Sequence, residues 1–244
     1  MAHTDLPLPA APSRDTTTVL VVSPHAAITA ARTAGVPLFR RCPPVHSVLL
    51  GPCRLEVAGR RVESQSSLAL PANVPHTLHV LPGPFAGVAY LDARRFRFED
   101  AQRLAETWQG FVPGHDDLRE AMGDALALPE RRVDPRLLRA LAALEHRGVS
   151  VAEAARLVAL SESRLTHLMT ETLGAPPRIW RTWFTLRRGL NAALFGAANL
   201  TQAAHLAGFA DSAHLTRTCK QLMGVRPAQM LPGTVYVAAE RGSA

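Results

Sequence analysis

Apolar positions between residues 150 and 230 keep helical periods, and they do so twice. Ala154-Ala155-Arg156-Leu157 returns 49 residues later as Ala203-Ala204-His205-Leu206. Leu165-Thr166-His167 returns 50 residues later as Leu215-Thr216-Arg217, and Gly174-Ala175-Pro176-Pro177 as Gly224-Val225-Arg226-Pro227. The offset grows by one because the turn of the second copy is one residue longer. Such a repeat constrains the architecture before any single motif does. Between the copies, Ile179, Trp183, Leu186, Leu190 and Leu194 fall at spacings of 4, 3, 4 and 4, which places them on one face of a helix over 177–195.

Each copy predicts a helix, a turn and a second helix. Ser150, with Glu153 three residues on, has the form of a capping box that opens a helix over Val151 to Val158. Ser161 is placed to cap a second helix that stops at Gly174. In the second copy Asn199 and Gln202 open the first helix, Gly208-Phe209-Ala210-Asp211 is the turn, and Asp211 caps a helix that ends near Gly224. Gly208 accepts a positive φ without steric cost. Two helices joined by a glycine-bearing turn make a helix-turn-helix. The connecting helix would span roughly 28 Å, close to the roughly 34 Å of one B-DNA turn. Leu157, Leu160, Leu165, Leu168, Leu206, Phe209, Leu215 and Leu222 are expected in the core of these units. Trp180 and Trp183 are expected to pack, and Cys219 to be a small core residue.

The N-terminal half predicts short strands instead. Candidates are Thr18–Val22, Ser47–Leu50, Arg54–Ala58, Ser67–Leu70, Thr77–Val80 and Ala86–Leu91, separated by Pro and Gly, as in a small barrel or sandwich. From Arg97 the period turns helical through Phe98, Ala101, Leu104, Ala105 and Trp108. Helices over Asp117 to Leu128 and Pro135 to Arg147 follow. Gly110 to Gly114 and Pro129 to Pro135 read as loops. The expected fold class is therefore α+β in two domains. A flexible tail covers 1–16, a β-rich sensor or dimerisation domain with C-terminal helices 17–130, an all-α domain 131–235 and a second tail 236–244.

Charge sharpens that division. Residues 1–130 carry 12 Arg against 13 acidic side chains, a net of −1; residues 131–244 carry 14 Arg and Lys220 against 7 acidic side chains, a net of +8. The excess thus lies wholly on the half that holds the repeat, which suits a polyanion partner. No run of about 20 apolar residues predicts a membrane span, and the first residues lack the pattern of a signal peptide. The three Cys are widely spaced and form no disulfide framework, in keeping with a cytoplasmic protein.

The segment from about Pro135 to Leu231 resembles the DNA-binding domain of the AraC/XylS family of bacterial transcription regulators. The run from Ala203 through Gly208-Phe209 to Lys220, followed by Gly224-Val225-Arg226-Pro227, carries the resemblance most clearly. Two departures stand out: Cys219 where the family usually has an aromatic residue, and Thr185 where the linker often has Arg. The N-terminal order of strand, Gly-Arg turn, strand and Leu-Pro-x-x-x-Pro-His resembles, more loosely, the cupin-like sensor domains that precede many such units. The resemblance implies that Ser163, Arg164, Thr166 and His167, and then Ser212, Ala213, His214 and Arg217, face the DNA groove. Thr218 and Lys220 complete the expected DNA-binding set, and Arg178, Arg181, Arg187, Arg188 and Arg226 are candidates for phosphate contacts. Double-stranded promoter DNA is the expected partner. RNA polymerase, a small-molecule effector and a second copy of the chain are further expected partners.

A different reading makes the N-terminal half a cupin-like metalloenzyme, or a metal or thiol sensor, fused to the DNA-binding domain. Its ligands would come from Cys42, His46, Cys53, His76 and His79. The tight His-x-His pair of cupin enzymes is absent, and His76 and His79, three apart on a strand, point to opposite faces. No phosphate loop, nucleophile elbow or paired carboxylate motif is present. The expectation is a regulator with no enzymatic activity, no metal and no cofactor.

Overall fold

The computed structural model describes residues 18–23, 25–33, 38–80, 83–110, 115–230 and 234–238. The tail expected over 1–16 and most of the loop expected at Gly110 to Gly114 lie outside these residues, as does the His79 side chain. The chain runs β1 (Thr18–Val22), β2 (Ala26–Thr33), β3 (Leu38–Arg41), β4 (His46–Leu50), β5 (Cys53–Val57), β6 (Arg60–Ser64), β7 (Leu68–Leu70), β8 (His76–Val80) and β9 (Gly83–Leu91). Helices α1 (Phe98–Thr107), α2 (His115–Ala127) and α3 (Pro135–Glu145) follow. Then come α4 (Val151–Leu157), α5 (Glu162–Leu173), α6 (Pro177–Phe195), α7 (Leu200–Ala207), α8 (Ser212–Met223), α9 (Pro227–Met230) and a last strand, β10 (Thr234–Ala238).

The strands form two sheets, ordered β10-β1-β2-β9-β4-β7 and β3-β8-β5-β6. At its centre, in β4 and residues 87–91 of β9, the larger sheet is buried on both faces, and the pleat sorts its side chains between two cores. Val48, Leu50, Ala89 and Leu91 point into a core closed by Phe96, Leu104 and Trp108, with Leu118 and Met122 of α2. Their neighbours Leu49, Val88 and Tyr90 point the other way, toward Leu55 and Leu78 of the smaller sheet. That second core does not stop at the sandwich. It continues without a break into the helical unit, through Leu137, Leu141, Trp180, Phe184 and Leu215.

Four strands were not expected from the sequence: β2, β3, β6, which pairs antiparallel with β5, and β10. β2 pairs antiparallel with both β1 and β9, but its Ala-rich run has little intrinsic strand preference. β3 pairs with β8. β10, where a tail was expected from residue 236, lies parallel to β1 with Thr18 opposite Thr234 and Val22 opposite Ala238. The polypeptide thus returns, after the helical unit, to the edge of the N-terminal sheet.

Three of the candidate ligands of the rival reading make other contacts. The His46 ring Nδ1 accepts the Ala72 N–H at 3.1 Å, the Cys42 thiol lies 3.3 Å from Asn73 Oδ1, and His76 Nδ1 meets the Val74 carbonyl at 2.8 Å. Cys53 is buried, and none of the three Cys forms a disulfide. Among the described residues no group of three or more His, Cys, Asp or Glu could hold a metal ion.

Burial first, and the positive charge of Arg131 second, lower the His46 pKa from 6.5 to about 4. The folded state then binds a proton less readily than the unfolded chain. Stability contributed by neutral His46 is complete above pH 6.5 and is lost as the pH falls from 6.5 toward 4. The loss should amount to about 3 kcal/mol. Denaturant titrations between pH 7 and 4 should show this decline in the wild type and a shallower one in His46→Asn, which keeps an acceptor but does not titrate.

Candidate nucleic-acid interface

The two helix-turn-helix units are α4–α5 and α7–α8. Ser150 and Glu153 form the reciprocal capping box, and the Ser161 side chain accepts from the Arg164 N–H. Asn199 accepts from Gln202, and Asp211 Oδ1 accepts from the His214 N–H at 2.6 Å. Gly174, Gly208 and Gly224 all end their helices in the left-handed region. The two turns close alike: the Leu160 N–H donates to the Ala155 carbonyl, and the Phe209 N–H to the Ala204 carbonyl. Where the second copy has Gly208 at φ 98°, the first has Ala159 at φ 54°. A left-handed alanine costs roughly 1–2 kcal/mol, so the first turn is held by its surroundings.

The packing between the helices of each unit rests on small residues. Ala154 and Ala155, and likewise Ala203, Ala204 and Ala207, are buried, letting the first helix of each unit approach its neighbours closely. Two expectations need correction here. Leu157 and Leu206 were expected in the core, yet they are 65% and 57% exposed. Each sits one step round the helix from the buried alanines, on the outer face. Leu165, Phe209, Leu215 and Leu222 are buried, while Leu160 and Leu168 are partly buried against the core. Cys219 is fully buried, and burial pushes its thiol up to about 12, so it stays protonated.

The linking helix α6 buries a wider stripe than five periodic positions suggested. Trp180, Trp183 and Leu186 are buried as expected, but Phe184 and Gly189 are buried too, while Ile179, Leu190 and Leu194 are half-buried. The helix has neighbours on more than one side. Phe184 lies under the Arg94 guanidinium, 5.4 Å from the ring centroid. At Gly189, an added Cβ would fall 2.7 Å from Leu215 Cδ1 and 3.4 Å from Phe209 Cε2.

Ser163, Arg164, Thr166 and His167 all stand exposed on α5. On α8, Ala213, His214 and Arg217 are exposed, whereas Ser212 and Lys220 are half-buried. Thr218 was expected among the DNA-binding residues, but it is only 6% exposed, on the side of Leu215 and Leu222. It belongs to the packing face. The His214 ring is held edge-on to Phe209 at 5.1 Å between centroids, and His167 lies 3.5 Å from Glu171. The helices differ in charge. α5 carries Glu162 and Glu171 against Arg164, whereas α8 carries Arg217 and Lys220 with no acidic residue. Arg188, expected as a phosphate contact, donates instead to the Glu145 carbonyl and to Thr185 Oγ1, which ties α6 to the end of α3.

The sequence profile of the helix-turn-helix domain family matches residues 154–232. These residues form an AraC-type helix-turn-helix domain. No curated protein matches the chain. Among solved structures, ToxT from Vibrio cholerae is similar over 84% of this chain and 97% of its own, at 12% identity and a TM-score of 0.52. Wild-type ToxT bound to an unsaturated fatty acid is similar over 93% and 99%, at 13% identity and a TM-score of 0.52. A Chromobacterium violaceum regulator with an AraC-type DNA-binding domain is similar over 39% of this chain and 88% of its own, at 21% identity and a TM-score of 0.37. The AraC-type domain is thus joined to a β domain in the same two-domain α+β fold as ToxT. Among the described residues no helix is long and apolar enough to cross a membrane.

The close approach of α6 to α8 at Gly189 is open to test. Gly189→Val places side-chain atoms where Leu215 and Phe209 already lie, so it should destabilise the protein by about 1–3 kcal/mol despite lying mid-helix. Chemical denaturation of the full chain measures this, and an unchanged midpoint would refute the close packing of α6 on α8.

Proposed function

We propose that the chain regulates transcription by setting α5 and α8 into successive major grooves on one side of promoter DNA. The class, a DNA-binding transcription regulator with an N-terminal effector domain, is supported by the AraC-type domain and the two-domain fold. The observation that carries the finer reading is the exposure of matched polar positions on both second helices, each beginning at a side-chain cap. In a helix-turn-helix the first residues of the second helix meet base edges while its amide end meets phosphate. Ser163, Arg164, Thr166 and His167 are the readers in the first unit; Ser212, Ala213, His214 and Arg217 are those in the second. Lys220 is a phosphate contact at the edge of the second.

The two units do not contribute equally. α8, with two cations and no acidic side chain, supplies most of the attraction to the backbone. Arg217 has the planar fork that pairs with guanine O6 and N7, which Lys would not reproduce. The β domain serves as receptor for a small-molecule effector; the structure of ToxT with an unsaturated fatty acid bound supports that role. The protein acts in the cytoplasm, pairs with a second copy through the β domain and its following helices, and communicates with RNA polymerase.

Arg217→Ala should cost about 1–3 kcal/mol on a preferred duplex and much less on random DNA. Arg181→Ala, at an exposed site on α6, should weaken both duplexes by a similar factor and lower the salt slope by about one unit. Titrations of both variants, on a duplex selected from a random pool and on a scrambled one, at several salt concentrations, distinguish these outcomes. Equal losses on both duplexes for Arg217→Ala would make it a phosphate contact and not a base reader.

A further inference from the structure

A helix leaves its last four carbonyls without partners inside the helix. In both recognition helices, groups outside the helix-turn-helix units supply one. The Arg131 guanidinium, from the connection between α2 and α3, donates at 2.7 Å to the Thr172 carbonyl in the last turn of α5. Its other arm donates at 2.9 Å to the Ala93 carbonyl, just beyond β9. The Cys42 N–H, just beyond β3, donates at 3.2 Å to the Gln221 carbonyl in the last turn of α8. Beside the first of these contacts, a Cβ added to Gly174 would fall 2.9 Å from the Ala72 Cβ.

Cys42 and Ala72 belong to one fixed surface. The Asn73 N–H donates to the Pro43 carbonyl at 2.8 Å, and the Ala72 N–H donates to His46. Both recognition helices therefore rest their C-terminal ends on a single stitched pair of loops, those after β3 and after β7. Arg94 anchors the linker to the same domain through Phe184, Asp92 and Glu145, the last at 3.8 Å. The exposed reading residues stand on α5 and α8 away from these contacts.

We infer that the β domain is a gauge that sets the separation and phase of the two recognition helices, with Arg131 as the positioning residue that holds α5 to it. The inference rests on the reading of α5 and α8 as a pair of DNA readers. It assigns to this chain a preference for one spacing between its two DNA contact segments, imposed by the N-terminal domain together with the linker. One inserted base pair moves the second segment by roughly 3.4 Å along the axis and by about a tenth of a turn. A rigid gauge cannot follow that displacement; a linker acting alone, with α5 released, can follow part of it.

The experiment uses the full chain. A duplex selected from a random pool by the wild type is rebuilt with one base pair added or removed between the two protected segments, and affinities are measured. The wild type should lose about tenfold or more per step, the equivalent of one good base contact. Arg131→Gln, which cannot span both carbonyls, should lose only about two- to threefold per step. Its affinity for a duplex carrying only the α8 segment should match the wild type. Arg131→Lys, with one ammonium in place of a fork, should behave like Arg131→Gln. Ala72→Val wedges the Gly174 contact without touching Arg131 and should move or flatten the optimum, which tests the gauge even if the Arg131 variants do not fold. A purely stabilising role would lower affinity equally at every spacing, and that result overturns the inference. So would wild-type spacing penalties in folded Arg131→Gln and Ala72→Val. If the wild type enriches no duplex at all, it is the DNA-reading proposal that fails.

Discussion

One helix has to satisfy neighbours on several sides at once. α6 packs Trp180, Trp183 and Phe184 into the core that runs out of the β sandwich, and it offers Gly189 to α8 at its other end. Dense packing leaves little room for adjustment on any of these sides. A glycine in mid-helix costs about 1 kcal/mol in helix propensity. It is retained where Leu215 and Phe209 would otherwise have to withdraw, and those two residues position the second reading helix. The placement of α8 thus depends on α6 as well as on the loop after β3, and the placement of α6 is in part a property of Arg94 on the β domain.

The helical half was largely legible in the sequence. Caps and glycine stops are local chemistry, so Ser150, Ser161, Asn199 and Asp211, and Gly174, Gly208 and Gly224, marked helix ends that the structure contains. What was not legible depends on distant partners. The Ala-rich β2 has no strong strand preference and exists because β1 and β9 flank it. Leu157 and Leu206 satisfied a helical period, but the period does not tell which side of a short helix its neighbours occupy. Thr218 looked polar and available, yet it falls on the packing side of α8. Arg131 carried no signal at all: an arginine in a connection is unremarkable until the two carbonyls it bridges are brought together.

The two reading helices descend from one pattern but differ in chemistry. The first turn is built on Ala159 in a backbone region that its counterpart fills with Gly208. The first recognition helix also sets two glutamates beside Arg164, where the second has Arg217 and Lys220 and no acidic residue in its span. In the proposed mode of binding, backbone attraction is therefore concentrated on one unit, and the other adds discrimination through short polar side chains. A weakly charged reader depends more on being held in place, because it has less long-range attraction to draw it into register.

The return of β10 to the edge of β1 has a consequence for how the protein is made. Residues 234–238 cover the first strand of the larger sheet, and they are synthesised only after the helical half. Throughout translation of the helical half, β1 presents an open row of N–H and C=O groups, the kind of edge that pairs with other chains. On the ribosome the N-terminal sheet completes its edge only after the whole DNA-reading half has emerged. The nascent chain therefore carries an open edge for as long as the helical half is being made, and completion of the β domain reports that both halves are present.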